Sequence, residues 1–278
     1  MVGTNIASLE SIVPPNLMQS LSKITHLIVD MDGVLYLGER PMPCLREFFA
    51  FLRERSIRFV LATNNSTRTS QEYADRLGRM GVSVQAAEIL VSGQATARFL
   101  ARQYPLGTRV HVFGMQPLKQ ALSEAGFMLA DEDVQLVVAS MDRAVTYEKL
   151  KRAALLIRGG ARFIATNLDP TNPSEEGLLP GTGTMIAALE TASGVKAFPI
   201  GKPEPTMYQL AMEQMNAVPE TTAAIGDRVD TDILGGKRAG LTTICVLSGS
   251  SSRAEAEAIE TDMIFDDIAH LLEAWKPL

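Results

Sequence analysis

Cysteine and histidine are scarce in this chain. Cys44 and Cys245 are its two cysteines, too few and too far apart for a disulfide framework, and neither forms a Cys-x-x-Cys pair. His26, His111 and His270 are equally scattered, which disfavours a zinc centre and leaves them as surface or structural side chains. Positive charge is not in excess either. With 26 Lys and Arg against 32 Asp and Glu the formal charge is -6, so no positive field holds nucleic acid or an anionic membrane, and an anionic ligand must be attracted locally. Charges or glycines interrupt every apolar run before membrane-spanning length, and no basic stretch with an apolar core and cleavage signal opens the chain. Low-complexity and like-charge blocks are missing, and 46% apolar with 21% charged residues is ordinary globular usage. The expectation is a soluble cytoplasmic protein with reduced thiols, whose 278 residues hold one large domain or two smaller ones.

What is present is an alternation. After an N-terminal segment broken by Pro14-Pro15, short apolar runs alternate with stretches of helical period. Strands are expected at residues 26–31, 57–62, 109–113, 135–139, 162–165, 197–200, 222–225 and 242–247. Helices are expected near 45–55, 70–80, 93–103, 116–125, 147–158, 184–193, from Pro205 onward, 231–239 and 267–274. Strands followed by crossover helices imply a right-handed, mostly parallel sheet with helices on both faces, an α/β three-layer sandwich. The middle units read as a separate α/β layer, and the chain is expected to resume its first theme with residues 197–200.

Four polar clusters follow apolar strands, where ligands bind in open α/β sheets. Asp30 and Asp32 stand at the end of the run His26-Leu27-Ile28-Val29, two residues apart, on one side if the extended geometry persists. One carboxylate can attack phosphorus while the other protonates a leaving oxygen and then deprotonates water. Gly33 lets the chain turn sharply. Thr63, Asn64, Asn65 and Ser66 follow the second strand and offer neutral donors for phosphate oxygens. Lys202 adds a positive charge, its origin stiffened by Pro203. Asp227, Asp230 and Asp232 put three carboxylates within six residues, and Mg²⁺ is held by one or two carboxylates with waters and substrate phosphate.

Each cluster alone has a plainer reading: a solvated Asx turn, helix capping, a surface lysine, or an acidic helix start. Their joint occurrence outweighs those readings. Phosphate-monoester hydrolysis needs an acceleration of up to ~10²¹, roughly 28 kcal/mol at 1.36 kcal/mol per decade. A nucleophile, an acid/base, a divalent metal, a lysine and phosphate-binding amides together form a set that can act on a phosphoryl group.

With these residues in place the chain resembles the haloacid-dehalogenase-like (HAD) hydrolase superfamily, class IIA, the NagD-like or 4-nitrophenylphosphatase-like subfamily. Asp30 to Leu35 resembles the family's first motif, Thr63-Asn64-Asn65 its second, Lys202-Pro203 its third, and Gly226-Asp227-Arg228 through Thr231-Asp232 its fourth. Ala165 to Asp169 and Pro180 to Gly183 resemble the cap's return to the core. The resemblance implies a Rossmann-like core, residues 1–87 and 183–278, interrupted by an α/β cap, 88–182. It also implies Asp30 as the nucleophile forming an aspartyl-phosphate and Asp32 as general acid and base. Mg²⁺ would lie on the Asp30 side chain, the Asp32 carbonyl and Asp227, steadied by Asp232. Thr63, Asn64 and Asn65 would hold phosphate, and Lys202 would neutralise charge.

The implied partner is a small phosphorylated metabolite: a nucleoside monophosphate, phosphoglycolate, a sugar phosphate or an aryl phosphate. Neither nucleic acid nor membrane is expected, and a homo-oligomer is compatible with the chain. Substrate choice is expected in the cap, with Asn167, Asp169 and the loop 170–179 as candidates or as an ordinary turn. Three other activities fit the residues less well. A dehalogenase has no need of the acid Asp32, a phosphotransferase would pass the group to a second substrate, and a receiver-like phosphoacceptor has little use for so large a cap.

Overall fold

A computed structural model describes residues 15–174 and 176–277; the expected N-terminal segment up to Pro14 lies outside the described residues. Two parallel sheets organise the chain. The first has six strands in the order Met263–Phe265, Thr242–Val246, Thr222–Gly226, His26–Val29, Arg58–Thr63 and Ile89–Val91. Every pairing within it is parallel. The second has five, in the order Phe198–Pro199, Arg162–Ala165, Leu136–Ala139, Arg109–Phe113 and Met128–Leu129, again all parallel.

Strand periodicity explains the layers. Leu27 and Val29 face one apolar cluster with Phe59, Leu61, Ala223 and Ile225, beneath the Leu45–Glu54, Ser70–Arg79 and Ile268–Trp275 helices. Ile28, Val60, Ala62 and Ala224 face the opposite side. That second cluster continues through the Ser92–Ala101 and Pro205–Met215 helices to Val110, Leu136, Val138 and Ile164 of the other sheet. One continuous apolar interior therefore joins the two sheets. Phe48 and Leu52, both fully buried, repeat at helical spacing along Leu45–Glu54, and each such burial is worth about 1.5–3 kcal/mol.

Several expectations shift. Residues 197–200 were expected to return to the first sheet, but Phe198 and Pro199 pair with Ile164 and Ala165 of the second. Conversely Ile89–Val91, expected beyond the core, pairs with Leu61–Thr63 of the first sheet. The boundaries at 88 and 182 consequently do not coincide with the change of sheet, because an apolar run cannot reveal which strand edge it joins. The first strand stops at Val29, short of Met31. Residues 170–179, expected as a loop, carry all but the last residue of the antiparallel ladder Thr171–Ser174 with Gly177–Pro180. A second small ladder, Tyr36–Leu37 with Arg40–Pro41, was not expected at all. Among the described residues no helix is long and apolar enough to cross a membrane.

Register decides where the polar clusters emerge. Val29 lies level with Ile225 on one side and Leu61 on the other, so the chain leaves all three strands at one edge. The chain extends from the His26–Val29 strand to both sides of the sheet, and the crevice at such a reversal of strand order is where ligands bind.

Candidate active site

The clusters converge on one cleft of about 910 Å³, bordered by Asp30, Asp32, Thr63, Lys202, Asp227 and Asp232 among others. Asp30 N–H still donates to the Ile225 carbonyl at 2.8 Å, which anchors the first carboxylate to the sheet just past its last strand residue. Gly33 then turns at φ 84°, and its lack of a side chain matters: a Cβ there would stand 2.5 Å from Asp227 Cγ. Gly249 leaves the same carboxylate room from the other side, since its Cβ would meet Asp227 Oδ2 at 2.0 Å.

Lys202 is the centre of charge. Its Nζ donates to Asp30 Oδ1 at 2.5 Å, to Asp232 Oδ1 at 2.6 Å and to the Ala62 carbonyl at 2.9 Å, with only 4% of the side chain exposed. Burial alone would lower its pKa, but Asp232 and Asp30 overcome this and hold it well above the usual lysine value. The ammonium stays charged. A third carboxylate crowds the two that hold it: Asp30, Asp227 and Asp232 each bring an oxygen within 4.8 Å of the others. Burial and then mutual repulsion push Asp227 up to about 6, against the pull of the Ser250 N–H, which reaches Oδ2 at 2.7 Å. Asp30 is likewise raised by burial and by Asp232 and Asp227, although Lys202 opposes it. Such an excess of buried negative charge, built wholly from oxygen donors, fits a hard divalent cation.

Asp32 differs from Asp30. It is exposed to solvent at the cleft, yet protein crowds it enough that desolvation raises its pKa, with Arg76, Arg68 and Lys202 pulling the other way. Its backbone bridges to Tyr36, and Gly33 N–H donates to the Tyr36 carbonyl at 2.9 Å, so the small Tyr36–Pro41 ladder grows directly out of the acid's loop. Arg76 braces that ladder. Its guanidinium lies 4.0 Å over the Tyr36 ring, donates to the Gly38 carbonyl and sits 3.3 Å from Glu39. The hydroxyls of Tyr36 and Tyr73 and the Arg76 Nε are buried with no hydrogen-bond partner among the described residues.

The second cluster divides its labour. Thr63 is buried on the cleft wall, its Oγ1 accepting the Asn65 N–H at 3.1 Å. Asn65 spends its carbonyl oxygen on Thr67, at 3.0 Å from the N–H and 2.7 Å from the hydroxyl, an Asx turn that shapes the loop. Asn64 departs from expectation. Its Oδ1 accepts the Lys202 N–H at 2.8 Å, while Nδ2 donates to the Lys202 carbonyl at 2.9 Å and to Asp169 Oδ2 at 3.0 Å. The two amide hydrogens are thus occupied, which leaves the side chain no donor for a phosphate.

Asp232 is fixed by its own loop, with Oδ2 taking the Arg228 N–H at 3.2 Å and its carbonyl taking the Tyr208 hydroxyl at 2.9 Å. Asp230 is not brought in: it is largely exposed and pairs with Arg228 at 2.8 Å. Ser250, Gly249, Arg76 and Tyr36 went unnoticed in the sequence. The first two lie in the Ser/Gly-rich loop after the Thr242–Val246 strand, a fourth strand end at the same edge and a readable signal. Arg76 carried no signal, because one arginine on a helix is indistinguishable from a solvated one.

Residues 27–128 match the family described as haloacid dehalogenase-like hydrolase, and residues 199–271 match a HAD-hydrolase-like family. An acid sugar phosphatase of Staphylococcus saprophyticus is 36% identical over 249 residues, covering 88% of this chain and 96% of that protein. Among solved structures, NagD from E. coli K-12 superposes with a TM-score of 0.84 at 36% identity, over 88% of this chain and 97% of its own. A glycerol phosphate phosphatase from Mycobacterium tuberculosis, solved in complex with magnesium, gives 0.85 at 32% identity over 91% of this chain and 77% of that one.

Proposed function

The chain belongs to the haloacid dehalogenase-like hydrolases, class IIA and NagD-like, and is a phosphatase of small phosphate monoesters; we propose that Asp30 is its nucleophile and Asp32 its general acid and base. The observation that carries this assignment is Lys202 Nζ, set at 2.5 Å from Asp30 and 2.6 Å from Asp232 by two different strand ends. An Asp30 oxygen attacks phosphorus, and the ester P–O bond breaks. Asp32 gives its proton to the departing alcohol oxygen. As a carboxylate it then takes a proton from water, whose oxygen attacks the aspartyl-phosphate phosphorus; the bond to Asp30 breaks and phosphate leaves.

The raised pKa of Asp32 suits the first of these tasks, since the acid must arrive protonated. Thr63 and the backbone of the following loop hold the phosphoryl oxygens, and Lys202 balances their charge. Asn64 acts through Lys202, whose backbone it holds, rather than on the phosphate. Asp30, Asp227 and Asp232, with the Asp32 carbonyl, would hold Mg²⁺, which supplies compensation for the negative charge gathered on nucleophile and phosphate. Cytoplasmic residence remains part of this reading, supported by two unpaired cysteines, one of them buried.

The test is Asp30→Asn assayed on 4-nitrophenyl phosphate with Mg²⁺. Hydrolysis should disappear, and retention of more than a few per cent of the rate would overturn the assignment of the nucleophile.

A further inference from the structure

Two carboxylates in the cleft have no part in the chemistry above, Glu39, which lies 3.3 Å from Arg76, and Asp169. Asp169 follows the Arg162–Ala165 strand of the second sheet and borders the cleft from that side. It is held firmly. Its N–H donates to Asn167 Oδ1 at 3.1 Å, its carbonyl accepts the Gly183 N–H at 2.7 Å, and Oδ2 accepts an Asn64 hydrogen at 3.0 Å. Gly181 presses so close that a Cβ would stand 2.3 Å from the Asp169 carbonyl oxygen. The remaining oxygen, Oδ1, has no donor among the described residues, although the group is substantially enclosed by protein. A fixed acceptor without a partner facing a substrate cleft is prepared for a hydrogen that the substrate brings.

The charge balance narrows what that substrate is. Six carboxylates and four cationic side chains border the cleft, and with Asp32 protonated as the general acid an excess of one negative charge remains. A divalent cation and a phosphate dianion cancel each other, so the excess persists for the rest of the molecule. Among the described residues no cation inside is free to receive a second anion: Lys202 is taken by Asp30 and Asp232, Arg76 lies 3.3 Å from Glu39, and Arg228 pairs with Asp230 at 2.8 Å and also feels the charge of Asp169. Arg40 remains, but at the solvent-exposed rim where its attraction is screened. A nucleobase finds no aromatic shelf. Tyr36, the one aromatic residue lining the cleft among the described residues, is fully buried and already covered by Arg76 at 4.0 Å.

Resting on the phosphatase reading, we infer that Asp169 selects neutral, hydroxyl-bearing leaving groups, those of polyol and sugar phosphates, by accepting a substrate hydroxyl hydrogen on Oδ1. Carboxylate-bearing esters are rejected by charge, and nucleoside monophosphates gain no stacking surface. Asp169→Asn lessens the first rejection and, with its carbonyl oxygen held by the Asn64 hydrogen, puts an NH₂ donor where Oδ1 accepted, so selectivity moves in both respects.

The experiment measures kcat/KM with Mg²⁺ for glycerol 3-phosphate, phosphoglycolate, AMP and 4-nitrophenyl phosphate, in the native protein and in Asp169→Asn. The native protein should prefer glycerol 3-phosphate over phosphoglycolate and AMP by at least tenfold. Asp169→Asn should reduce the glycerol-phosphate-to-phosphoglycolate ratio at least tenfold, mainly through KM for the polyol ester. A native preference for phosphoglycolate or AMP overturns the inference without recourse to any variant. An equal loss on all esters in Asp169→Asn also overturns it, as the mark of a merely structural residue. Hydrolysis of the aryl ester with no preference among the others refutes the Asp169 assignment alone, whereas no hydrolysis of any ester refutes the phosphatase reading beneath it.

Discussion

Asn64 clasps the backbone of Lys202 at two points, its Oδ1 taking the lysine N–H at 2.8 Å and its Nδ2 giving to the lysine carbonyl at 2.9 Å. The residues are 138 apart in the chain, one after the Arg58–Thr63 strand and the other after Phe198–Pro199. Through this clasp an end of the first sheet fixes where the Lys202 side chain starts. The same amide also reaches Asp169, so the two sheets and the lysine meet in one side chain.

Replacing Asn64 by Asp tests that role. The carboxylate can still accept the Lys202 N–H but has no hydrogen for the Lys202 carbonyl, and it places a second charge beside Asp169. We expect kcat to fall by about 10- to 100-fold with a smaller change in KM, and stability to drop by about 2–4 kcal/mol from two lost donors and an added buried charge. A KM effect with kcat intact would mean that Asn64 binds phosphate after all.

Gly33→Ala separates strain from obstruction. Gly33 sits at φ 84° against the Asp227 carboxylate, while Gly107 has φ 81° and nothing within 4 Å of a Cβ. Alanine at either position should cost about 1–2 kcal/mol for the left-handed backbone, measured by urea unfolding. Only Gly33→Ala should also lose activity and Mg²⁺ affinity, because its Cβ displaces Asp227. Equal activity in the two variants would contradict the cradle.

Metal should act as a stabilising ligand as well as an activator. Chelation is expected to abolish hydrolysis and Mg²⁺ to restore it. At 100 times Kd the ion should add about 2.7 kcal/mol to unfolding, read as a rise in Tm. Asp227→Asn should lose most of this rise. An identical Mg²⁺-induced rise in that variant would place the ion elsewhere.

His111 offers a pH test remote from the cleft. Burial lowers its pKa, while the Asp131 carboxylate, 2.9 Å from Nδ1, and the Ala130 backbone pull it upward and Arg152 adds to the lowering. The folded protein therefore takes up a proton here less readily than the unfolded chain, whose histidine titrates near 6.5. The contribution is present above 6.5 and is lost as pH falls through the lower folded value. In His111→Asn, whose amide can still reach Asp131 but does not titrate, urea unfolding should show a smaller loss of stability between pH 7.5 and pH 5. A loss as large as in the native protein would exclude His111 as a source.

Much of the site was readable because its chemistry is local. Asp30, Asp32, Thr63, Lys202 and Asp227 each stand within a few residues of an apolar strand, and a strand's end is marked by composition. The helix Tyr147–Arg158 and the strands Arg109–Phe113 and Arg162–Ala165 were read to the residue, since period and propensity agree there. Ile89–Val91 was missed: three residues are too few to establish a period.

The sequence by itself determined the kinds of groups available and the places where strands release them, because burial and alternation depend on neighbours along the chain. The tertiary structure decided which strand edge Phe198–Pro199 joins, that the Asn64 amide is spent on Lys202 and Asp169, and that Asp169 Oδ1 has no donor among the described residues. Those outcomes depend on parallel register between distant strands, which sets Val29 level with Leu61 and Ile225 and so brings groups more than a hundred residues apart within hydrogen-bonding distance.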